Sequence, residues 1–219
     1  MLRKYAKTFA PALIALSLFC NTTAAAGQFD GDYTVEMIVF ERPNVKVEAA
    51  SLNDSLRYPS ERVLLDRDVR SGNLKTVKTL EDSALSLAEE AAKIRKRGYK
   101  ILFHEAWEQY VDARPNPAVV ILGGNSRNGL RELSGYVSVY VKRYLHFQTN
   151  LWLINQRAVN IAEDEVFTLI EIPSPVSNRA VQGANISSIS QVKTSRKMRS
   201  SQLHYIDHPQ LGILVEISK

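Results

Sequence analysis

Two hydrophobic patterns run along the chain: alternation in most segments, and one stretch at helical spacing. Tyr33 to Glu41 (YTVEMIVFE) is rich in β-branched and aromatic residues, with Val35, Met37 and Val39 on one face and Ile38 and Phe40 on the other. Apolar residues on both faces predict a central strand. Tyr99 to Trp107 (YKILFHEAW) reads as the next strand, and Val119 to Leu122 as a short apolar run ended by Gly123-Gly124-Asn125. Gly135 to Phe147 reads as one long strand. Val137, Val139, Val141, Leu145 and Phe147 line one face of it, interrupted by Arg143, and Tyr136, Ser138, Tyr140, Lys142, Tyr144 and His146 line the other. Leu151 to Ile154 begins a returning strand, Val166 to Ile172 is another, and Gln191 to Ile206 precedes a turn around His208-Pro209 and a closing strand, Ile213 to Ile217.

Leu80, Ala84, Leu87, Ala91 and Ile94 recur at spacings of four and three, which predicts a helix from Leu80 to Arg97. Thr79 with Asp82 resembles a capping box, Lys93, Arg95, Lys96 and Arg97 complement the dipole, and Gly98 is a natural stop. Strand, helix, strand points to an α+β fold, a mainly antiparallel sheet with one long amphipathic helix on one face. Residues 42–79 and 176–191 are polar and read as long loops, the first with a short apolar insertion at Val63-Leu64-Leu65.

The 219 residues suit one compact domain. Residues 1–26 read as an export signal: Arg3, Lys4 and Lys7 precede an apolar stretch, Phe9 to Phe19, that is too short to span a bilayer, and Ala24-Ala25-Ala26 offers a cleavage site. The only cysteine, Cys20, follows Phe19, whereas lipidation wants a small residue there, so a mature domain of residues 27–219 without cysteine is the expectation and a lipoprotein the alternative. With those three cations set aside, 25 basic residues face 23 acidic ones. That balance is too weakly basic for a nucleic-acid binder.

VEMIVFER (35–42), SLRYPSERVLLD (55–66), YKILFHEAW (99–107), LHFQTNLWL (145–153) and RKMRSSQLHYIDHPQLGILVEI (196–217) together resemble the CsiV family of periplasmic peptidoglycan-binding proteins. The resemblance runs through nearly the whole mature chain. It implies binding to murein in the periplasm, and support of cell-wall synthesis by a bifunctional penicillin-binding protein through that enzyme's outer-membrane lipoprotein activator. It implies no catalytic activity and brings no binding residue with it, so candidate sites come from the residues themselves.

Tyr136, Tyr140 and Tyr144, with Ser138, Lys142 and His146 between them, form an aromatic row with interleaved hydrogen-bonding groups. On a single strand neighbouring rings would lie ~13 Å apart. Such a row suits a glycan, rings covering sugar faces and polar groups meeting hydroxyls and lactyl-peptide carboxylates. The alternative is a solvated or loop-covered sheet face. The basic run Lys193, Arg196, Lys197 and Arg199 suits murein carboxylates, or equally a charged edge strand; extended, it puts Lys193, Lys197 and Arg199 on one face and Arg196 on the other. Tyr205 lies in the cluster His204, Tyr205, Asp207, His208, where strand spacing holds the two histidines too far apart for one small ion, so no metal or other cofactor is expected. Asp207 reads as a cap for backbone donors at the turn.

Enzyme motifs are weak. Ser190-Gln191-Val192-Lys193 matches S-x-x-K but lacks the companion elements of penicillin-recognising enzymes. Glu36 and Glu41 fall on opposite faces of one strand and Glu105 has no identifiable partner, so no carboxylate pair for glycoside cleavage emerges. Trp107 and Trp152 read as core or rim aromatics. The reading is a noncatalytic murein-binding adaptor, with a small murein hydrolase and a pure protein scaffold as alternatives. Loops 43–79 and 176–191 are candidate partner surfaces.

Overall fold

The computed structural model describes residues 29–42, 56–65, 77–115, 117–127, 129–156, 169–172, 179–182 and 186–219. Residues 1–26, which the sequence predicts to be an export signal, lie outside them together with Cys20. The described strands are β1 (Gly31–Glu41), β2 (Arg62–Leu64), β3 (Val77–Thr79), β4 (Lys100–Val111), β5 (Ala118–Arg127), β6 (Leu130–Val141), β7 (Leu145–Gln156), β8 (Leu169–Ile172), β9 (Arg179–Gln182), β10 (Ile186–Met198), β11 (His204–Asp207) and β12 (Leu211–Ser218). One α-helix is described, α1 (Ala88–Lys96).

The strands form two five-stranded sheets, in the orders β11-β12-β1-β4-β3 and β10-β7-β6-β5-β2, while β8 and β9 pair with each other. All pairings are antiparallel except β2 on β5. One face of each sheet contributes to a common core: Val35, Met37, Val39 and Trp107 from the first meet Ile121, Val137, Phe147 and Leu151 from the second. The architecture is therefore a β-sandwich, which corrects the α+β expectation of one sheet under a long helix. β1 is central, between β12 and β4, as its two apolar faces predict.

The helix is half the predicted length for identifiable reasons. The Leu80 N–H donates to the Ala106 carbonyl at 2.8 Å, prolonging the β3–β4 pairing, so the chain is still extended where the apolar stripe begins. Asp82–Ala84 make one 3-10 turn, Leu85 is extended again, and α1 starts only after Leu87. Only Leu87, Ala91 and Ile94 of the stripe are buried, against Ile38 and Phe40 on the outer face of the first sheet. Thr79 belongs to β3, so the capping box does not form. The helix entrance is instead capped from the sheet by Glu36. Its carboxylate, 4% exposed, accepts the Ser86 N–H (2.7 Å), the Ser86 hydroxyl (2.6 Å) and the Leu87 N–H (2.9 Å), and it contacts His104 Nε2 at 2.8 Å. A buried carboxylate at a helix N-terminus is stabilised by these donors and by the dipole.

The other corrections concern connections. The strand expected from Gly135 to Phe147 is two strands: β6 ends at Val141, residues 142–144 turn, and β7 returns from Leu145, its direct partner across the hairpin. Since 141 and 145 differ by an even number, both side chains face the core and the alternation passes through the turn unbroken. Only Arg143 marked it. Leu151 to Ile154 lies within β7. The polar stretch 42–79 contains β2 and β3, and 176–191 contains β9 and the start of β10. Gly123-Gly124-Asn125 does not end β5; the register shifts between Gly123 and Ser126, a bulge, and pairing continues to Arg127. Gln191 to Ile206 divides into the rest of β10, a turn and β11.

Two stability measurements follow from this packing. Ordinarily near 4.5, the Glu36 pKa is lowered: burial opposes ionisation, but the bonds from His104, Ser86 and Leu87 outweigh it. A lowered native value means stabilisation that is complete above the ordinary value and lost as pH falls through the native one. Glu36→Gln should cost about 2 kcal/mol in urea unfolding at pH 7, with the gap to the parent narrowing below pH ~4.5. At Gly212, directly paired with Phe40, an added Cβ would lie 2.1 Å from the Phe40 ring. Gly212→Ala should lower stability by about 1–3 kcal/mol, read as a drop in Tm.

Candidate functional site

Among the described residues, the outer face of the second sheet divides into a covered half and an open half. Over the covered half, Leu56 and Tyr58 pack on Val120, Trp152, Ile154 and Ile189. Tyr136 belongs here: its ring lies 6.2 Å from that of Tyr58 and 6.3 Å from that of Trp152. Its hydroxyl accepts a bond from Asn150 Nδ2 at 3.2 Å. Asn150 is the hub of this half, its Oδ1 accepting the Trp152 indole N–H (3.1 Å) and the Gln191 amide (2.7 Å). Buried polar groups are satisfied this way or they destabilise, which makes Tyr136 a packing residue. Both tryptophans are core residues, Trp107 at 0% and Trp152 at 1% exposure.

The open half begins two residues further along β6. The hairpin register places His146 beside Tyr140, and β10 places Lys197 beside His146, so Tyr140, His146 and Lys197 form one row across three strands. The Tyr140 and His146 rings stack at 4.7 Å with 3° between their planes. Lys142 Nζ lies 5.9 Å from the Tyr140 centroid. Tyr144, at the turn and 46% exposed, is flanked by Lys197 Nζ at 4.8 Å and by the Arg143 guanidinium at 5.5 Å. The next row inward pairs Ser138 with Gln148 and Gln148 with Ser195, and beyond it Lys193 pairs with Asn150. Ser138 is buried and Lys193 exposed. The tyrosine row and the basic run, read separately in the sequence, thus meet on one face.

The electrostatics of this half are one-sided. Among the described residues, no carboxylate pairs with Lys142, Arg143, Lys193 or Lys197. The His146 pKa is lowered from its ordinary 6.5 by burial first, then by Lys197 and Lys142. Its ring nitrogens have no hydrogen-bond partner among the described residues. An exposed aromatic surface carrying cations without counter-charges is suited to ring-shaped polar ligands bearing anions.

Three predicted residues lie elsewhere. Arg196 faces the opposite way from Lys197, as the alternation predicts, and donates to the Tyr205 carbonyl at 2.8 Å. Arg199 follows the end of β10, and its backbone N–H donates to His204 Nε2 at 3.2 Å. Tyr205 lies on β11, the edge of the other sheet. Its hydroxyl accepts from Arg42 and donates to Asp207 at 2.8 Å, and Arg42 pairs with Asp207 at 2.6 Å. Asp207 is therefore an ion-pair partner rather than a backbone cap; His208 does the capping, its Nδ1 accepting the Gln210 N–H at 3.3 Å. The residue missed from the sequence is Arg143, whose break in the alternation was its signal. Asn150, Gln148 and Gln191 could be placed only by register.

No helix among the described residues is long and apolar enough to cross a membrane. Neither the curated proteins nor the solved structures contain a match to the chain. The family model for CsiV, peptidoglycan-binding protein, matches residues 8–219, essentially the whole sequence. The chain belongs to the CsiV family of peptidoglycan-binding proteins.

Proposed function

We propose that the protein is a noncatalytic periplasmic adaptor, released from an export signal at residues 1–26, that holds peptidoglycan on the open half of the second sheet. The observation that carries the site is the row of half-buried Tyr140 and His146 and exposed Lys197, with exposed Tyr144 and Lys142 at its end, without carboxylate partners among the described residues. Glycan rings stack on Tyr140 and Tyr144, and lysines meet carboxylates of the lactyl-peptide stems. Lys193 extends the same cationic surface along β10. Glu36 gives no support to hydrolysis, because its carboxylate is buried and engaged by four groups at a helix entrance. Support of a bifunctional penicillin-binding protein through its outer-membrane lipoprotein activator, which the resemblance implies, completes the reading. In this picture the activator meets a surface away from the tyrosines.

Tyr140→Ala with Tyr144→Ala should reduce cosedimentation with washed sacculi at least fivefold while Tm shifts by no more than a few degrees, since neither ring is buried. Unchanged pelleting would remove these residues from the site. Tyr136→Ala should behave oppositely, lowering Tm by several degrees through loss of the Tyr58–Trp152 packing. The supernatant of the parent protein should contain no released muropeptides, and their appearance would make it a hydrolase.

A further inference from the structure

The open half has a property that binding to sugar rings alone does not require. Three cations, Lys142, Arg143 and Lys197, gather on it, with Lys193 farther along β10; among the described residues no carboxylate pairs with any of them, and neither ring nitrogen of His146 has a hydrogen-bond partner. Elsewhere the described cations are often matched: Arg42 with Asp207, Lys100 with Glu132, Arg114 with Asp112. An uncompensated cluster on a rigid sheet is a site prepared for an external anion.

We propose that Lys142, His146 and Lys197 form a subsite for a free carboxylate of the peptide stem, and that its occupancy is coupled to uptake of one proton by His146. This rests on the reading that the open face binds peptidoglycan, and it specifies which part of the polymer the face reads. The groups placed against His146 are Tyr140 from β6, stacked on it, Lys142 from the turn, and Lys197 from β10; none supplies a negative charge at neutral pH. Stacking against Tyr140 leaves the edge of the imidazole, where its nitrogens lie, as the route to a ligand oxygen. Without ligand, burial and the two lysines disfavour the protonated ring and lower its pKa from the ordinary value. A bound carboxylate reverses the local field and favours the imidazolium, which then donates a hydrogen bond to it. By linkage, affinity rises as pH falls through the interval between the free and bound values, by at most about tenfold per pH unit for one proton.

The experiment uses the full mature protein and three probes: intact sacculi, glycan strands stripped of their stems, and free stem peptides with carboxylates either free or amidated. Binding is measured at pH 8, 7, 6 and 5.5 and low salt, by cosedimentation for sacculi and by calorimetry for the soluble probes. Free-carboxylate stems should bind, several-fold tighter at pH 5.5 than at pH 8, with proton uptake visible as a buffer-dependent enthalpy. Amidated stems and bare glycan should bind at least tenfold more weakly. His146→Gln should lose the rise in binding towards pH 5.5, and Lys197→Gln should weaken binding at every pH. Equal binding of bare glycan and sacculi, or a parent and His146→Gln variant with the same pH profile, would overturn this inference while leaving peptidoglycan binding intact. Failure of the parent to pellet with sacculi at any pH would overturn the underlying reading.

Discussion

Burying the inner faces of two sheets against each other is the interaction on which everything else here depends. Val35, Met37, Val39, Trp107, Phe147 and Leu151 are 0% exposed because two five-stranded sheets share one core. That arrangement solves the problem of one face per sheet and leaves two outer faces to be dealt with. The first is covered by α1, pinned at its entrance by Glu36. Of the second, the described residues cover the part under Leu56 and Tyr58. They leave uncovered the strip from Tyr140 to the 142–144 turn, and that strip is the candidate binding surface.

The strip is built on paired strands. Tyr140 and His146 face each other in an antiparallel pair and Lys197 continues the row, so the backbone ladders of three strands set the spacing of the functional groups. Below it, the Asn150 hub ties Tyr136, Trp152 and Gln191 together. A site built on paired strands loses less entropy on binding than one built on loops. The same construction explains why two rings of the tyrosine row are free to meet a ligand and the third is not.

Much of the fold was legible in the sequence, and each failure has a physical cause. The central strand β1 was visible because a strand apolar on both faces must have neighbours on both. The β6–β7 hairpin was not, because a three-residue turn preserves the side-chain parity on which alternation depends. The helix was overdrawn because periodicity cannot reveal that Leu80 is still engaged with β4 or that the capping group comes from Glu36, fifty residues upstream of Ser86. For the site, aromatic spacing and the basic run were each readable locally. Their meeting depends on the pairing of β10 with β7, a long-range register that no local pattern encodes, and the placement of Tyr205 in the other sheet is long-range as well, whereas alternation alone turns Arg196 away.

The most direct test of the central claim is to map ligand contact on the protein itself. Chemical shifts of backbone amides, tyrosine rings and histidine side chains would be followed as soluble muropeptides are titrated in. The expected result is perturbation concentrated at Tyr140, Tyr144, His146 and Lys197, with Tyr136 and the α1 residues little changed. Shifts confined to the Arg42–Tyr205–Asp207 cluster or to α1, with the open strip silent, would contradict the account.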